Sequence, residues 1–177
     1  MVGVVRKDYR YLFIDLDGTL IETQSGSTFP KGLWDMRFRL DVFEAIKRMS
    51  PEIVFIVSNQ GGIDMGYVNK VCFEAKLGYV KAALFEYCDV SVYATYCPSN
   101  DKADPMRKPN GRMLTKLWED ALADGEVSSV FEGCKDKMLM VGDASGGEND
   151  FSDSDLRCAE RVGIDYMDVE DFVVSFY

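Results

Sequence analysis

Asp15 and Asp17 stand two apart in the stretch FIDLDGTL, directly after an apolar run and directly before Gly18. Paired carboxylates suit general acid and base work or the binding of a hard cation. The chain has no histidine, which excludes Ser-His-Asp and Cys-His catalysis and removes the commonest zinc ligand. Hydrolytic chemistry here must therefore run on carboxylates, lysine or a hard metal. Further polar groups that could join it are Ser58 and Asn59 in VSNQ, Lys108 in RKP and Asp143 in VGD. Each has an ordinary explanation when taken alone. A D-x-D-G stretch can open a calcium loop, but the residue in the closing glutamate position is Gly26. The stretch SNQGG reads as a turn, Lys108 before a proline as a loop lysine, and GDASGGEND as a solvated acidic loop.

These residues need a scaffold that brings them together. Four short apolar runs, YLFI before Asp15, IVFIV before Ser58, VSVYA before Thr95 and MLMV before Gly142, read as strands buried on both faces, as in a parallel sheet. Helical spacing lies between them. DVFEAIKRM places Val42, Ala45, Ile46 and Met49 on one stripe, and the stretch 66–88 places Val68, Val71, Cys72, Ala75, Tyr79, Ala82 and Ala83 on another. MLTKLWEDALAD and DLRCAERVG supply two more helices, the second stopped by Gly163. The alternation predicts an α/β fold, a three-layer sandwich forming a single domain over residues 1–177. Ligands of open α/β sheets sit beyond the carboxyl ends of the strands, so Asp15, Asp17, Ser58, Asn59 and Asp143 should converge on one rim.

With 47% apolar residues the chain is not a disordered polar one, and no apolar run approaches the roughly 20 residues of a membrane span. The opening MVGVVRKDYR does not resemble a secretory signal, so a cytoplasmic location is expected. The five cysteines are odd in number and never form a C-x-x-C pair, which suits free thiols. A net charge of -10 argues against non-specific attraction to nucleic acid.

DLDGTL, VSNQ, RKP and VGD, in that order, resemble the four-motif signature of the haloacid dehalogenase superfamily of phosphotransferases. The resemblance implies a Rossmann-like α/β/α fold and a Mg2+-dependent phosphomonoesterase. Asp15 would be the nucleophile, forming an aspartyl-phosphate, and Asp17 the acid and base. Asp15, Asp143 and the Asp17 backbone carbonyl would hold the metal, while Ser58, Asn59 and Lys108 would bind the transferring phosphoryl group. Capped members insert a lid domain between motifs. The 15–58 and 58–108 intervals are too short for one, so an uncapped rim is expected.

DLDGTLIETQSGSTFP and DFSDSDLRCAERVGIDYMDVEDF are similar to the 3'-phosphatase domain of the polynucleotide kinase 3'-phosphatase family, a likeness running from Tyr11 to Phe172. Thr23, Ser25, Gly26 and Pro30 match after the first motif; Asp150, Phe151, Ser152, Asp155 and Ala159 match after the fourth. Asp155 would then orient the metal shell from outside it. The implied substrate is a nucleic-acid 3'-phosphate end, with any kinase activity supplied by a separate partner. Met36 departs from the family's usual tryptophan, the loop 144–149 is acidic, and no stretch resembles the kinase half. A basic rim of Arg107, Lys108, Arg112, Lys116, Arg37 and Arg39 could offset the overall charge, Arg107 touching substrate; Phe29, Trp34 and Phe38 could stack bases beside it, with core packing the preferred reading. The alternative is a small-molecule phosphatase of the histidinol-phosphate or heptose-bisphosphate type. Those relatives carry a zinc loop of which only Cys97 remains here. A binding module without catalysis would be expected to lack Asp15 or Asp143, and an uncapped rim would also admit a phosphoprotein loop.

Overall fold

A computed structural model describes residues 7–148, 150 and 152–176. Along it the chain forms β1 (Tyr11–Ile14), β2 (Ile21–Glu22), β3 (Arg37–Phe38), α1 (Leu40–Met49), β4 (Ile53–Asn59), α2 (Gly61–Asp64), α3 (Lys70–Cys88), β5 (Ser91–Cys97), α4 (Arg112–Ala123), β6 (Met138–Gly142), α5 (Ser154–Val162), β7 (Asp165–Asp168) and α6 (Val169–Phe176). Five strands make one parallel sheet in the order β5-β4-β1-β6-β7. The period of two along each strand divides the core. Leu12, Ile14, Val54, Ile56, Leu139 and Val141 face α1, α3 and α6. Tyr11, Phe13, Ile53, Phe55, Val57, Met138 and Met140 face α4 and α5. The result is the three-layer α/β/α sandwich that the alternating pattern predicts.

The apolar runs YLFI, IVFIV and MLMV form the three inner strands and are buried throughout. VSVYA behaves differently. It lies in the edge strand β5, where only Cys97 is fully buried, because an edge strand has a neighbour on one side alone. At the opposite edge, β7 and the closing helix α6 were not evident in the sequence: DYMD is half-buried and carries acids at both ends.

The expected stripe on α3 also needs correction. Val71, Cys72, Ala75 and Tyr79 are exposed, and the buried face is Phe73, Lys76, Leu77, Val80 and Leu84. This helix is apolar on nearly every side, so spacing alone permits two stripes, and the sheet takes the one with the bulkier groups. The helix begins at Lys70, where the Asn69 side chain accepts the Cys72 N–H at 3.1 Å. Elsewhere the sequence signals match: Gly163 ends α5 at φ 75°.

Between motifs there is only light structure. The short antiparallel pair of β2 and β3 carries a loop held by Asp35, whose carboxylate accepts from the Ser25 N–H, the Ser25 hydroxyl and the Lys31 N–H at 2.7–2.8 Å. Phe29 and Trp34, expected in the core, ride on this loop and are 44% and 65% exposed. Their rings lie instead against exposed aromatics, Phe29 5.3 Å from Tyr67 and Trp34 5.4 Å from Tyr79. Of the three aromatics only Phe38 packs inward, its ring 5.2 Å from that of Phe43. The 15–58 interval holds this hairpin and α1, the 58–108 interval holds α2, α3 and β5, and neither contains a lid. Among the described residues no helix is long and apolar enough to cross a membrane.

Candidate active site

Asp15 stands one residue beyond β1 and still donates its N–H to the Val141 carbonyl at 3.0 Å, so the central strand pairing fixes its backbone. Its side chain accepts from Lys108 Nζ at 2.5 Å. Lys108 is 3% exposed and also donates to the Val57 carbonyl at 2.9 Å, and Asp155 Oδ1 lies 2.7 Å from the same nitrogen. Asn59 holds the other end of the lysine. Its amide donates to the Lys108 carbonyl and accepts the Lys108 N–H, both at 2.9 Å. Asn59, expected among the phosphate ligands, thus has both ends of its amide engaged in placing the lysine.

Asp143 follows β6 as Asp15 follows β1, and Asp155 reaches the same place from the first turn of α5. Carboxylate oxygens of Asp15, Asp143 and Asp155 lie within 4.8 Å of one another. Two glycines make that approach possible. A Cβ on Gly18, whose φ is +82°, would overlap the Asp143 carboxylate, and one on Gly142 would overlap that of Asp155. Asp155 is further tied to Ala144, accepting its N–H at 3.3 Å and donating its own N–H to the Ala144 carbonyl at 3.2 Å. The acidic loop is held by one of its own acids: Asp150 accepts from the Ser145 N–H, the Ser145 hydroxyl and the Gly147 N–H at 2.8–3.1 Å. Asn149 and Phe151 lie outside the described residues.

The electrostatics of this cluster are unbalanced. Burial pushes the Asp15 carboxyl well above its ordinary value, Lys108 pulls it back, and the neighbouring Asp155 and Asp143 charges raise it again. Asp143 is exposed on its outer side, yet the burial of its inner side, with help from Asp155, pushes its carboxyl up to about 6. Burial opposes the Lys108 charge, but Asp15 and Asp155 outweigh it and hold the ammonium protonated. Two of the three carboxylates thus meet the lysine directly, and Asp143 feels only its charge. Asp155 Oδ1 is buried without a hydrogen bond despite its closeness to the lysine. All-oxygen donors with an excess of negative charge are the set a hard dication prefers. Mg2+ fits these residues. The Asp17 backbone carbonyl, expected to join them, accepts no hydrogen bond among the described residues.

Asp17 itself points to a different neighbourhood, with its side chain 48% exposed. The Gln60 amide donates to Asp17 Oδ2 at 2.5 Å and to Ser58 Oγ at 2.8 Å. Gln60 thereby links the expected acid to Ser58, which is buried. Lys76 Nζ lies 3.6 Å from Asp17 Oδ1. Neither Gln60 nor Lys76 stands out in the sequence as a site residue. Gln60 was visible inside VSNQ but reads as part of a turn. Lys76 becomes conspicuous only when its position on the buried face of α3 is known.

Four of the cations expected in a basic rim are paired with acids of the chain. Arg37 pairs with Glu22 at 2.7 Å, Arg39 with Asp41 at 2.7 Å and with Glu170 at 2.8 Å, Arg112 with Glu119 at 2.7 Å, and Lys116 with Asp120 at 2.5 Å. Arg107 is half-buried and donates to the Ser99 carbonyl at 2.8 Å, beside the space that Gly61 leaves open. In a chain with more acids than bases, each of these cations finds a nearer acceptor within the protein.

A family model described as polynucleotide kinase 3 phosphatase matches residues 10–173. The chain is 32% identical over 176 residues to the bifunctional polynucleotide phosphatase/kinase of Schizosaccharomyces pombe, a match covering 98% of this chain and 40% of that protein. It is 30% identical over 169 residues to an uncharacterized 20.8 kDa protein of Autographa californica nuclear polyhedrosis virus, covering 90% and 82% of the two chains. Its fold superposes with a TM-score of 0.62 on the D,D-heptose 1.7-bisphosphate phosphatase from B. bronchiseptica, solved with magnesium and phosphate. That match has 22% identity and covers 89% of this chain and 78% of the other. The chain therefore spans well under half of the S. pombe protein but most of the viral one.

Proposed function

The chain belongs to the polynucleotide kinase 3 phosphatase family, and from that premise we propose that it is a Mg2+-dependent phosphomonoesterase that removes the 3'-phosphate from a nucleic-acid end through an aspartyl-phosphate. The observation that carries this reading is the buried Asp15–Lys108 contact of 2.5 Å, set among further carboxylates at the carboxyl rim of the sheet. Asp15 is a preplaced nucleophile, and Lys108 beside it stabilises charge where the phosphoryl oxygens would gather. Mg2+ held by Asp15, Asp143 and the Asp17 carbonyl would supply the positive charge that lets a carboxylate approach a phosphate dianion.

The residues divide the rest of the work. An Asp15 oxygen bonds to phosphorus while the P–O ester bond breaks. Its electron pair passes to the leaving oxygen, which takes a proton from Asp17. In the second displacement water attacks the same phosphorus and gives a proton back to Asp17. Asp15 and inorganic phosphate are released. Gln60 fixes one Asp17 oxygen, leaving the other to carry the proton. Ser58 and Lys108 are proposed to bind phosphoryl oxygens, and Asn59 to hold Lys108 in place.

The paired rim cations favour recognition of a terminal phosphate and its nearest groups over a long phosphate track. The test is phosphate release from oligonucleotides bearing a 3'-phosphate or a 5'-phosphate, beside sugar and amino-alcohol phosphates. Each is assayed with Mg2+ and with EDTA. Asp15→Asn should lower the rate by about 10⁴-fold or more, the order seen on removing a nucleophile. Release from the 3' end alone, dependent on Mg2+ and lost in the variant, supports the proposal. Release confined to the small phosphates would overturn the substrate and leave the chemistry.

A further inference from the structure

Lys76 is 5% exposed and lies on the sheet-facing side of α3 in a row otherwise made of Phe73, Leu77, Val80 and Leu84. Among the described residues its ammonium donates no hydrogen bond. It has one ion partner, Asp17 Oδ1 at 3.6 Å, and a ring partner, Phe73, 5.5 Å from its nitrogen. The side chain is buried in apolar surroundings while its ammonium meets the neighbouring cavity rather than a close acceptor, an arrangement that leaves its donors available to a ligand. Lys108 shows the contrast, because its ammonium meets Asp15, Asp155 and the Val57 carbonyl, all within 2.9 Å.

Lys76 also lines a cavity of about 270 Å³ between the loop after β2 and the start of α3. Pro30, Gly32 and Leu33 wall one side and Tyr67, Val68 and Phe73 the other. Such a space, mostly aromatic and aliphatic, with Lys31 and Asn69 also in its wall and Lys76 as its buried charge, suits a single small ring-bearing group rather than a length of chain. Its position relative to Asp17 is the informative point. If Asp17 delivers a proton to the leaving oxygen, the group attached to that oxygen lies on the Asp17 side of the phosphorus, which is where Lys76 and the cavity are.

We propose that this cavity receives the terminal nucleoside of the substrate, and that Lys76 is a specificity residue whose ammonium binds an oxygen of that leaving group. The assignment rests on the nucleic-acid reading above. Tyr67 and Phe73 give the cavity an aromatic lining for the base, and Lys76 supplies a donor that makes no hydrogen bond among the described residues. No bond is made or broken by Lys76; it holds the leaving group beside Asp17 while the ester oxygen takes its proton.

The experiment uses Lys76→Met and Lys76→Arg in the full chain. Methionine is close in length and apolar, so the variant should fold, with a Tm at or above that of the unaltered protein. Two substrates are compared: a short oligonucleotide with a 3'-phosphate, and p-nitrophenyl phosphate, whose leaving group departs without a proton and has no sugar. Lys76→Met should lower kcat/KM on the oligonucleotide about 30- to 100-fold, the order for losing a charged hydrogen bond. It should change p-nitrophenyl phosphate less than about 3-fold, and Lys76→Arg should recover part of the loss. The 3'-hydroxyl product should inhibit p-nitrophenyl phosphate hydrolysis, and about tenfold more weakly in Lys76→Met. Equal losses on both substrates would overturn the assignment, because Lys76 would then act on the chemistry common to them. Full oligonucleotide activity in Lys76→Met would overturn it while the nucleic-acid reading stands. An unaltered protein that hydrolyses p-nitrophenyl phosphate, but neither turns over nor is inhibited by any nucleotide, would overturn both.

Discussion

The two lysines of the site divide it into unlike halves. Around Lys108 the contacts are close: two carboxylates and a carbonyl surround the ammonium, Asn59 clamps the backbone, and glycines at 18 and 142 let the carboxylates close in. Around Lys76 the contacts are loose. One ion partner stands at 3.6 Å, a cavity opens beside it, and Phe29, Trp34 and Tyr67 present exposed rings. The phosphoryl-transfer end must be preorganised before substrate arrives, since fixed charges stabilise a transition state without reorganising. In the proposed reading the leaving group itself supplies the contacts on the Lys76 side.

The strongest way to break this contrast is at Lys108. Lys108→Met strands Asp15, Asp143 and Asp155 with no counter-charge and should cost about 3–5 kcal/mol of stability, the order for breaking a buried pair. Urea unfolding would measure it, and saturating Mg2+ should restore part of the loss. Asn59→Ala tests whether the clamp matters separately. Removing both hydrogen bonds to the Lys108 backbone should cost about 1–3 kcal/mol and lower kcat more than KM, a split that steady-state kinetics reads directly.

A milder probe is pH. Asp15 and Asp143 have carboxyls raised above their unfolded values, Asp143 to about 6. A raised carboxyl binds its proton more tightly when folded, so its contribution is present below the unfolded pKa and lost as pH rises through the folded one. With EDTA, Tm should therefore increase by roughly 2–4 °C between pH 7.5 and pH 5, on the scale of a domain this size. With Mg2+ the trend should weaken or reverse, because the metal binds the ionised forms. A Tm in EDTA that falls over this range would contradict the charge balance described for the cluster. The smallest effect belongs to the rim. Arg112→Ala and Arg37→Ala remove cations already paired with Glu119 and Glu22, and should change KM for an oligonucleotide less than about 2-fold. A large rise in KM, steepened by salt, would restore the basic rim.

How much of this was legible beforehand follows the same division. The Lys108 half is written in short motifs: an aspartate or serine placed at the end of an apolar run must emerge at the carboxyl rim of a parallel sheet, whatever the rest of the chain does. Asp15, Ser58 and Asp143 could be placed on that rim for this reason. Asn59 stood in the same motif, but its partner is backbone far along the chain, and no local pattern reveals a clamp of that kind. The Lys76 half depends on which face of α3 meets the sheet. With apolar residues nearly all round that helix, the spacing favoured the wrong face and hid the lysine.

The pairing of the surface charges was hidden for a related reason. Arg37, Arg39, Arg112 and Lys116 are basic in sequence, but their electrostatic effect depends on acids that folding brings close, Glu170 of α6 beside Arg39 among them. Alternating apolar runs and helical stripes sufficed for the sandwich, because burial of strand and helix faces is a local, periodic property of the chain. The motifs that led us to propose Asp15 as the nucleophile are short and local as well. Tertiary packing alone decided the approach of three carboxylates to one another, the pairing of the rim cations and the placing of Lys76 beside Asp17. These depend on distances between residues far apart in the chain, which no periodicity in the sequence encodes.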